Sequence, residues 1–133
     1  MENKTVPRFI VIDDDPINNH ICSKYIQIVF PGSDIKTFTD PQEGLDHISS
    51  AYTASSPNET ILFLDINMPV LSGWDVLDRF AHFSDAVKKQ FKIFILSSSV
   101  AITDKEKANK NPLVTGFIEK PLTIPQLQGL FSN

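Results

Sequence analysis

Short apolar runs separated by helical patterns constrain this chain most. Residues 9–12 (FIVI), 61–64 (ILFL) and 93–96 (IFIL) are each apolar throughout, and weaker runs occupy 34–38 and 115–118. A short run with no polar alternation reads as a strand buried on both faces, the condition of strands inside a parallel sheet. Helix signals fill the intervals. Asp15 is placed to cap a helix with Pro16 at its first position, followed by Ile17, Ile21, Tyr25 and Ile28 on one face. Asp40-Pro41-Gln42-Glu43 resembles a capping box before Leu45, Ile48 and Tyr52. A third helix opens at residues 72–75 with Trp74, Leu77 and Ala81 as its stripe, and a fourth, short and polar, opens at 103–106. A fifth, over 123–131, turns Leu127, Leu130 and Phe131 inward.

Strict alternation of strand and helix means an α/β fold with a parallel sheet. Right-handed crossovers leave few topologies. The least apolar strands, the second and the fifth, belong at the edges, which gives the doubly wound, flavodoxin-like order 2-1-3-4-5 with helices on both faces. The 133 residues suffice for one domain, expected to span 1–133 with a core from about 8 to 131. No room remains for an output domain, and Met1 reads as a natural start. Residues 52–60 (YTASSPNET) form a polar loop, somewhat long for its place.

The formal net charge of −4 argues against binding nucleic acid, which requires a basic face. No apolar run approaches the ~20 residues needed to span a bilayer, and residues 1–7 lack a signal-peptide pattern. With the single Cys22 and no possible internal disulfide, the expectation is a cytoplasmic protein that binds neither membrane nor nucleic acid. Cys22 itself reads as a small core hydrophobe. His20, His47 and His82 show no metal-ligand spacing.

In open parallel sheets, ligands bind beyond the carboxyl ends of the strands. Asp13, Asp14 and Asp15 follow the first strand, Asp65 the third, Ser97, Ser98 and Ser99 the fourth, and Lys120 the fifth. In the expected order these four strands are consecutive neighbours about 4.8 Å apart, so the side chains share one rim. Clustered carboxylates repel one another unless a cation intervenes. Mg²⁺, which suits a few carboxylates with waters and a phosphate, is one remedy. Lys120 is the other. A carboxylate beside such a metal can attack phosphorus, with the cations stabilising the equatorial oxygens. The residues alone reach phosphoryl transfer to an aspartate without choosing which aspartate.

The segments FIVIDDDP, LFLDINMPVLSGWDVL, FILSSS and GFIEKP, in this order, resemble the response regulator receiver family from Phe9 to about Phe131, in its single-domain, chemotaxis-regulator-like form. The resemblance implies that Asp65 is the phospho-acceptor and that Asp13 and Asp14 hold Mg²⁺ together with Asp65 and the backbone carbonyl of Asn67. It implies that Ser97 and Phe117 are the switch pair, that Lys120 contacts the phosphoryl group, and that Lys120-Pro121 is cis. The implied donor is a sensor histidine kinase or a histidine phosphotransfer protein. The implied output is a partner-binding face built from the fourth helix, fifth strand and fifth helix. Such a protein is a signalling switch that catalyses only its own phosphorylation and dephosphorylation. Phe117 lacks the hydroxyl of the tyrosine more usual there. Asn67 and Ser98, beside the expected phosphate, are candidates for tuning hydrolysis.

Each motif has a plainer reading alone: three aspartates as a solvated turn, Ser97 as a strand end, Phe117 as core, Lys105, Lys107 and Lys110 as a solvated face or part of a partner surface. Their joint occurrence on one rim outweighs these. An enzyme alternative is a haloacid-dehalogenase-like phosphatase with Asp13 as nucleophile and Asp15 as acid–base. It lacks the acidic cluster expected downstream, since no Asp or Glu follows Glu119, and it lacks the length for a cap. A third reading is a pseudo-receiver, a binding module of the same fold that is not phosphorylated.

Overall fold

A computed structural model of the chain describes residues 7–52, 59–98 and 101–130. Parallel strands β1 (Arg8–Ile12), β2 (Asp34–Phe38), β3 (Thr60–Asp65), β4 (Phe91–Ser97) and β5 (Val114–Glu119) form one sheet in the order β2-β1-β3-β4-β5. Helices α1 (Pro16–Val29), α2 (Pro41–Ala51), α3 (Gly73–Phe80), α5 (Ile102–Lys110) and α6 (Ile124–Leu130) link or follow the strands. A short helix, α4 (Asp85–Lys88), was not foreseen; Ser84 caps it through a hydrogen bond accepted from the Val87 amide. The expected loop positions 53–58, Ser99 and Phe131 lie outside the described residues.

The continuous apolar runs follow from coverage of the sheet on both faces. Side chains alternate along each strand. Ile10, Ile12, Leu62, Leu64, Ile93 and Ile95 pack in one core with Leu45 and Ile48 of α2 and Val76, Leu77 and Phe80 of α3. Phe9, Val11, Ile61, Phe63, Phe94 and Leu96 pack in the other with Cys22 and Ile26 of α1 and Leu127 of α6. Strand β2 is only half-buried or exposed along its length, as an edge should be. No helix among the described residues is long and apolar enough to cross a membrane.

Three caps fall where the sequence puts them. Asp15 accepts from the Ile17 amide at 2.9 Å and Asp40 from the Gln42 amide at 2.9 Å. Ser72 and Asp75 exchange both bonds of a capping box. Two helix faces differ from expectation. On α1 the inward residues are Asn19, Cys22 and Ile26, whereas Ile17 and Ile28 are 69% and 62% exposed. The choice is made by Asn19, whose amide donates to the Asp13 and Phe38 carbonyls at 2.9 and 3.4 Å and so ties α1 to the ends of β1 and β2. On α3 the inward residues are Val76, Leu77 and Phe80, while Ala81 is exposed and Trp74 half-buried.

These faces separate two isoleucines of one helix. Ile26→Ala should cost about 2–4 kcal/mol in denaturant unfolding, because it opens a cavity in a closed core. Ile17→Ala should change stability by less than about 0.5 kcal/mol. Equal effects at the two positions would refute the assignment of the α1 face.

Candidate functional site

The carboxyl ends of β1, β3, β4 and β5 lie side by side, and their following residues converge. Asp13 is fully buried and Asp65 is 3% exposed, whereas Asp14 is exposed. Each of the three offers a carboxylate oxygen, and these oxygens all lie within 4.8 Å of one another. Lys120 Nζ reaches in from the end of β5, 2.7 Å from Asp13 Oδ2 and 3.6 Å from Asp65 Oδ2. Among the described residues it is the one cation ion-paired to this trio.

Backbone geometry fixes these positions. The Lys120 amide donates to the Ser97 carbonyl at 2.8 Å, which aligns the ends of β4 and β5, and the next peptide bond, Lys120-Pro121, is cis. The Asn67 amide donates to Asp65 Oδ1 at 3.1 Å. The loop after β3 folds back tightly enough for the Gly73 amide to donate to the Ile66 carbonyl at 3.1 Å. A Cβ at Gly73 would lie 2.6 Å from the Asp65 carbonyl oxygen and 2.7 Å from Ile66 Cα, so only glycine fits there. Within this loop Val70 adopts a left-handed backbone (φ 70°) while fully exposed. For a β-branched residue that conformation costs of order 1–3 kcal/mol.

Two residues with a part in the site went unnoticed in the sequence. Asn18 Nδ2 donates to Asp13 Oδ2 at 2.7 Å, and Asn19 holds the Asp13 carbonyl. With the Asp15 amide on Asp13 Oδ1 at 2.9 Å, the buried Asp13 carboxylate receives hydrogen bonds at both oxygens and an ammonium besides. The available signal was local: Asn18 stands one turn into a helix whose cap, Asp15, immediately follows the acidic pair.

Electrostatics follow from this burial. Desolvation raises the Asp65 carboxyl to about 6, and the charges of Asp13 and Asp14 add to the rise against the Asn67 amide and Lys120. Burial alone would lower Lys120, but its hydrogen bond and ion pair with Asp13, and then Asp65, outweigh this and hold the ammonium above its ordinary value. Burial likewise pushes the Cys22 thiol up to about 11, as expected of an inert core thiol.

The remaining expected positions lie on β4 and β5 and in the turns after β3 and β4. Ser97 is fully buried at the end of β4, one residue beyond Leu96, the register partner of Asp65. Ser98 and Asn67 are exposed at the rim. Phe117 is half-buried on β5 opposite Ile95 and packs on the core that holds α2 and α3. Asp15 stands apart from the carboxylate trio and is engaged in capping α1, which removes the second carboxylate of the phosphatase alternative.

Residues 9–131 match the family described as the response regulator receiver domain. The chain belongs to that family. A two-component response regulator from Cytophaga hutchinsonii is 28% identical to this receiver, with a TM-score of 0.85 over 96% of each chain. A response regulator receiver protein from Dyadobacter fermentans is also 28% identical, with a TM-score of 0.83 over 92% of this chain and 93% of its own. Stress response regulator protein 1 of Meyerozyma guilliermondii is 36% identical over 77 residues, which are 58% of this chain but only 33% of that relative's length.

Metal-free Asp65 has a clear pH signature. A carboxyl raised above its unfolded value favours the fold fully below about pH 4 and loses that contribution as pH rises through about 6. Asp65→Asn removes the loss, so the variant's stability advantage without Mg²⁺ should grow from near zero at pH 4 to of order 1–3 kcal/mol above pH 7. Urea unfolding of both proteins across this range checks it; a difference that is flat with pH would show that Asp65 ionises without cost. Gly73→Ala should destabilise by more than ~1 kcal/mol in the same assay, since backbone stands where its methyl would go.

Proposed function

We propose that Asp65 accepts a phosphoryl group from the phosphohistidine of a sensor histidine kinase or a histidine phosphotransfer protein, and that this switches a partner-binding face. An ionised Asp65 oxygen attacks phosphorus in line with the donor's P–N bond. That bond breaks, and the leaving imidazole keeps the electron pair and takes up a proton. The reverse fate is hydrolysis, in which water attacks the aspartyl-phosphate and inorganic phosphate leaves, with Asn67 and Ser98 at the rim setting access. What carries this reading is the grouping of three carboxylate oxygens within 4.8 Å beside the Lys120 ammonium. An all-oxygen donor set with an open, solvent-facing side suits Mg²⁺, which keeps several waters and a substrate phosphate.

Asp13, Asp14 and Asp65, with the Asn67 carbonyl, are the residues that would hold Mg²⁺, whose charge there would neutralise developing charge on the phosphoryl oxygens. The protein's own part is to orient and to balance charge. The hydrogen bonds from Asn18 and the Asp15 amide fix the Asp13 carboxylate. Lys120, shared between Asp13 and Asp65, stands ready to pair with a phosphoryl oxygen on Asp65. The Ser97 hydroxyl, at the neighbouring strand end, is the hydrogen-bond partner for a second oxygen. Its movement towards Asp65 opens space beside β4 into which Phe117 turns, and the face of α5, β5 and α6 changes with it. The phosphoryl group biases an equilibrium between two arrangements that both exist without it.

Incubation with a small acyl-phosphate donor, read by intact mass, tests the chemistry. One phosphoryl group should be gained with Mg²⁺, none without it, and none in Asp65→Asn. Lys120→Ala should slow the gain by more than ~10-fold while leaving the chain folded. Labelling that persists in Asp65→Asn would move the acceptor to another aspartate, and no gain from either a small donor or a phosphohistidine protein would make the chain a binding module only.

A further inference from the structure

A second site lies at the opposite end of the sheet from the acidic rim. Helices α3 and α5 run back from that rim along one face and leave between their carboxyl-terminal halves a cleft of about 550 Å³. Its floor is apolar, formed by Leu77 of α3 and by Leu113, which leads into β5, with the exposed Ala81 at its edge. Lysines from two helices line it: Lys88 from α4, and Lys107 and Lys110 from α5. Asp78 is the one acidic group among the lining residues, and it stands on the α3 wall.

Lysines in the last turn of a helix complement its dipole, which by itself accounts for Lys107 and Lys110 on α5. Lys88 stands likewise in the last turn of α4, and it reaches across to the Ala81 carbonyl at the end of α3 at 3.1 Å. Helix dipoles do not account for lysines of two helices lining one cleft with an apolar floor. Lys88 has a partial partner in Asp85 at 3.6 Å, and the Lys107 ammonium lies 4.9 Å from the centre of the Trp74 ring. In a chain of net charge −4, a basic border around an apolar floor is a local reversal of sign.

We propose that this cleft docks an acidic segment of a partner protein, with one large apolar side chain on the Leu77–Leu113 floor and carboxylates on the α5 side at Lys107 and Lys110. Asp78 repels acidic groups from the α3 side and so orients the segment. The cleft is separate from the rim: none of the residues that line it belongs to the carboxylate trio or is Lys120. Because α5 follows the strand that ends in Ser97, a segment held against α5 is positioned to sense, and to bias, the state of the rim.

Trp74 is the single tryptophan and touches Lys107, so its fluorescence reports occupancy. The full chain is titrated with an array of short synthetic peptides in which one Leu or Phe stands at varied distances from several Asp or Glu residues. Control peptides replace the apolar residue by Ser or the acids by Lys. The expected result is saturable binding confined to the acidic–apolar peptides, which weakens with salt and falls about tenfold in a Lys107→Glu, Lys110→Glu variant. Ala81→Glu, from the opposite wall, should weaken it too, which guards against misfolding of one variant as the cause. No saturable binding, equal binding by the lysine variant, or equal binding of the Ser controls overturns the proposal. So does a self-association of the chain that the lysine variant abolishes, which would assign the cleft to a second copy.

Discussion

The pairing of Lys120 with two carboxylates is the interaction on which the rest of the site is built. A buried Asp13 and a buried Asp65 within a few ångströms of the exposed Asp14 form an arrangement that costs free energy unless countercharge is present. The lysine provides one positive charge against up to three negative ones, and the carboxyl of Asp65 is raised first by its burial and then by its acidic neighbours. Any cation held by these oxygens would offset that cost, so affinity for it and the cost to the fold would be linked.

The sheet is what makes the imbalance tolerable. Four adjacent parallel strands deliver their carboxyl ends to one edge, and the two cores on either side hold those ends against repulsion. The candidate site side chains stand at the ends of these strands, Asp65 and Ser97 as the last residues of β3 and β4 and Asp13 and Lys120 just past β1 and β5, so each position is a boundary between a rigid run and a loop. Gly73 belongs to the same construction, since the loop after Asp65 closes on the strand end only where no side chain intervenes.

Much of this was legible in the amino-acid order. Apolar runs without polar alternation give parallel strands directly, and the aspartates and the lysine announce themselves by standing immediately after those runs. Helix faces were less legible, for a physical reason. On α1 the stripe Ile17, Ile21 and Ile28 is more apolar than Asn19, Cys22 and Ile26, yet the latter is buried. Hydrophobic counting fails there because Asn19 must reach two strand-end carbonyls, a demand that the linear sequence does not display. Asn18 escaped for a similar reason: its partner, Asp13, is five residues away and the contact exists only once the helix is capped. The short helix α4 carries too few residues for any period to show.

The sheet's outer strand β2 has a bearing on how the molecule behaves at high concentration. An open strand edge presents unpaired amides and carbonyls, a template on which another copy can extend the sheet into a fibre. Here that edge carries Asp34 and Lys36, both well exposed and 3.9 Å apart, on either side of Ile35. Edge-to-edge stacking of two such strands would bury charges that water now solvates. The weak apolar character that marked residues 34–38 as a margin of the sheet is therefore also what keeps that margin from growing.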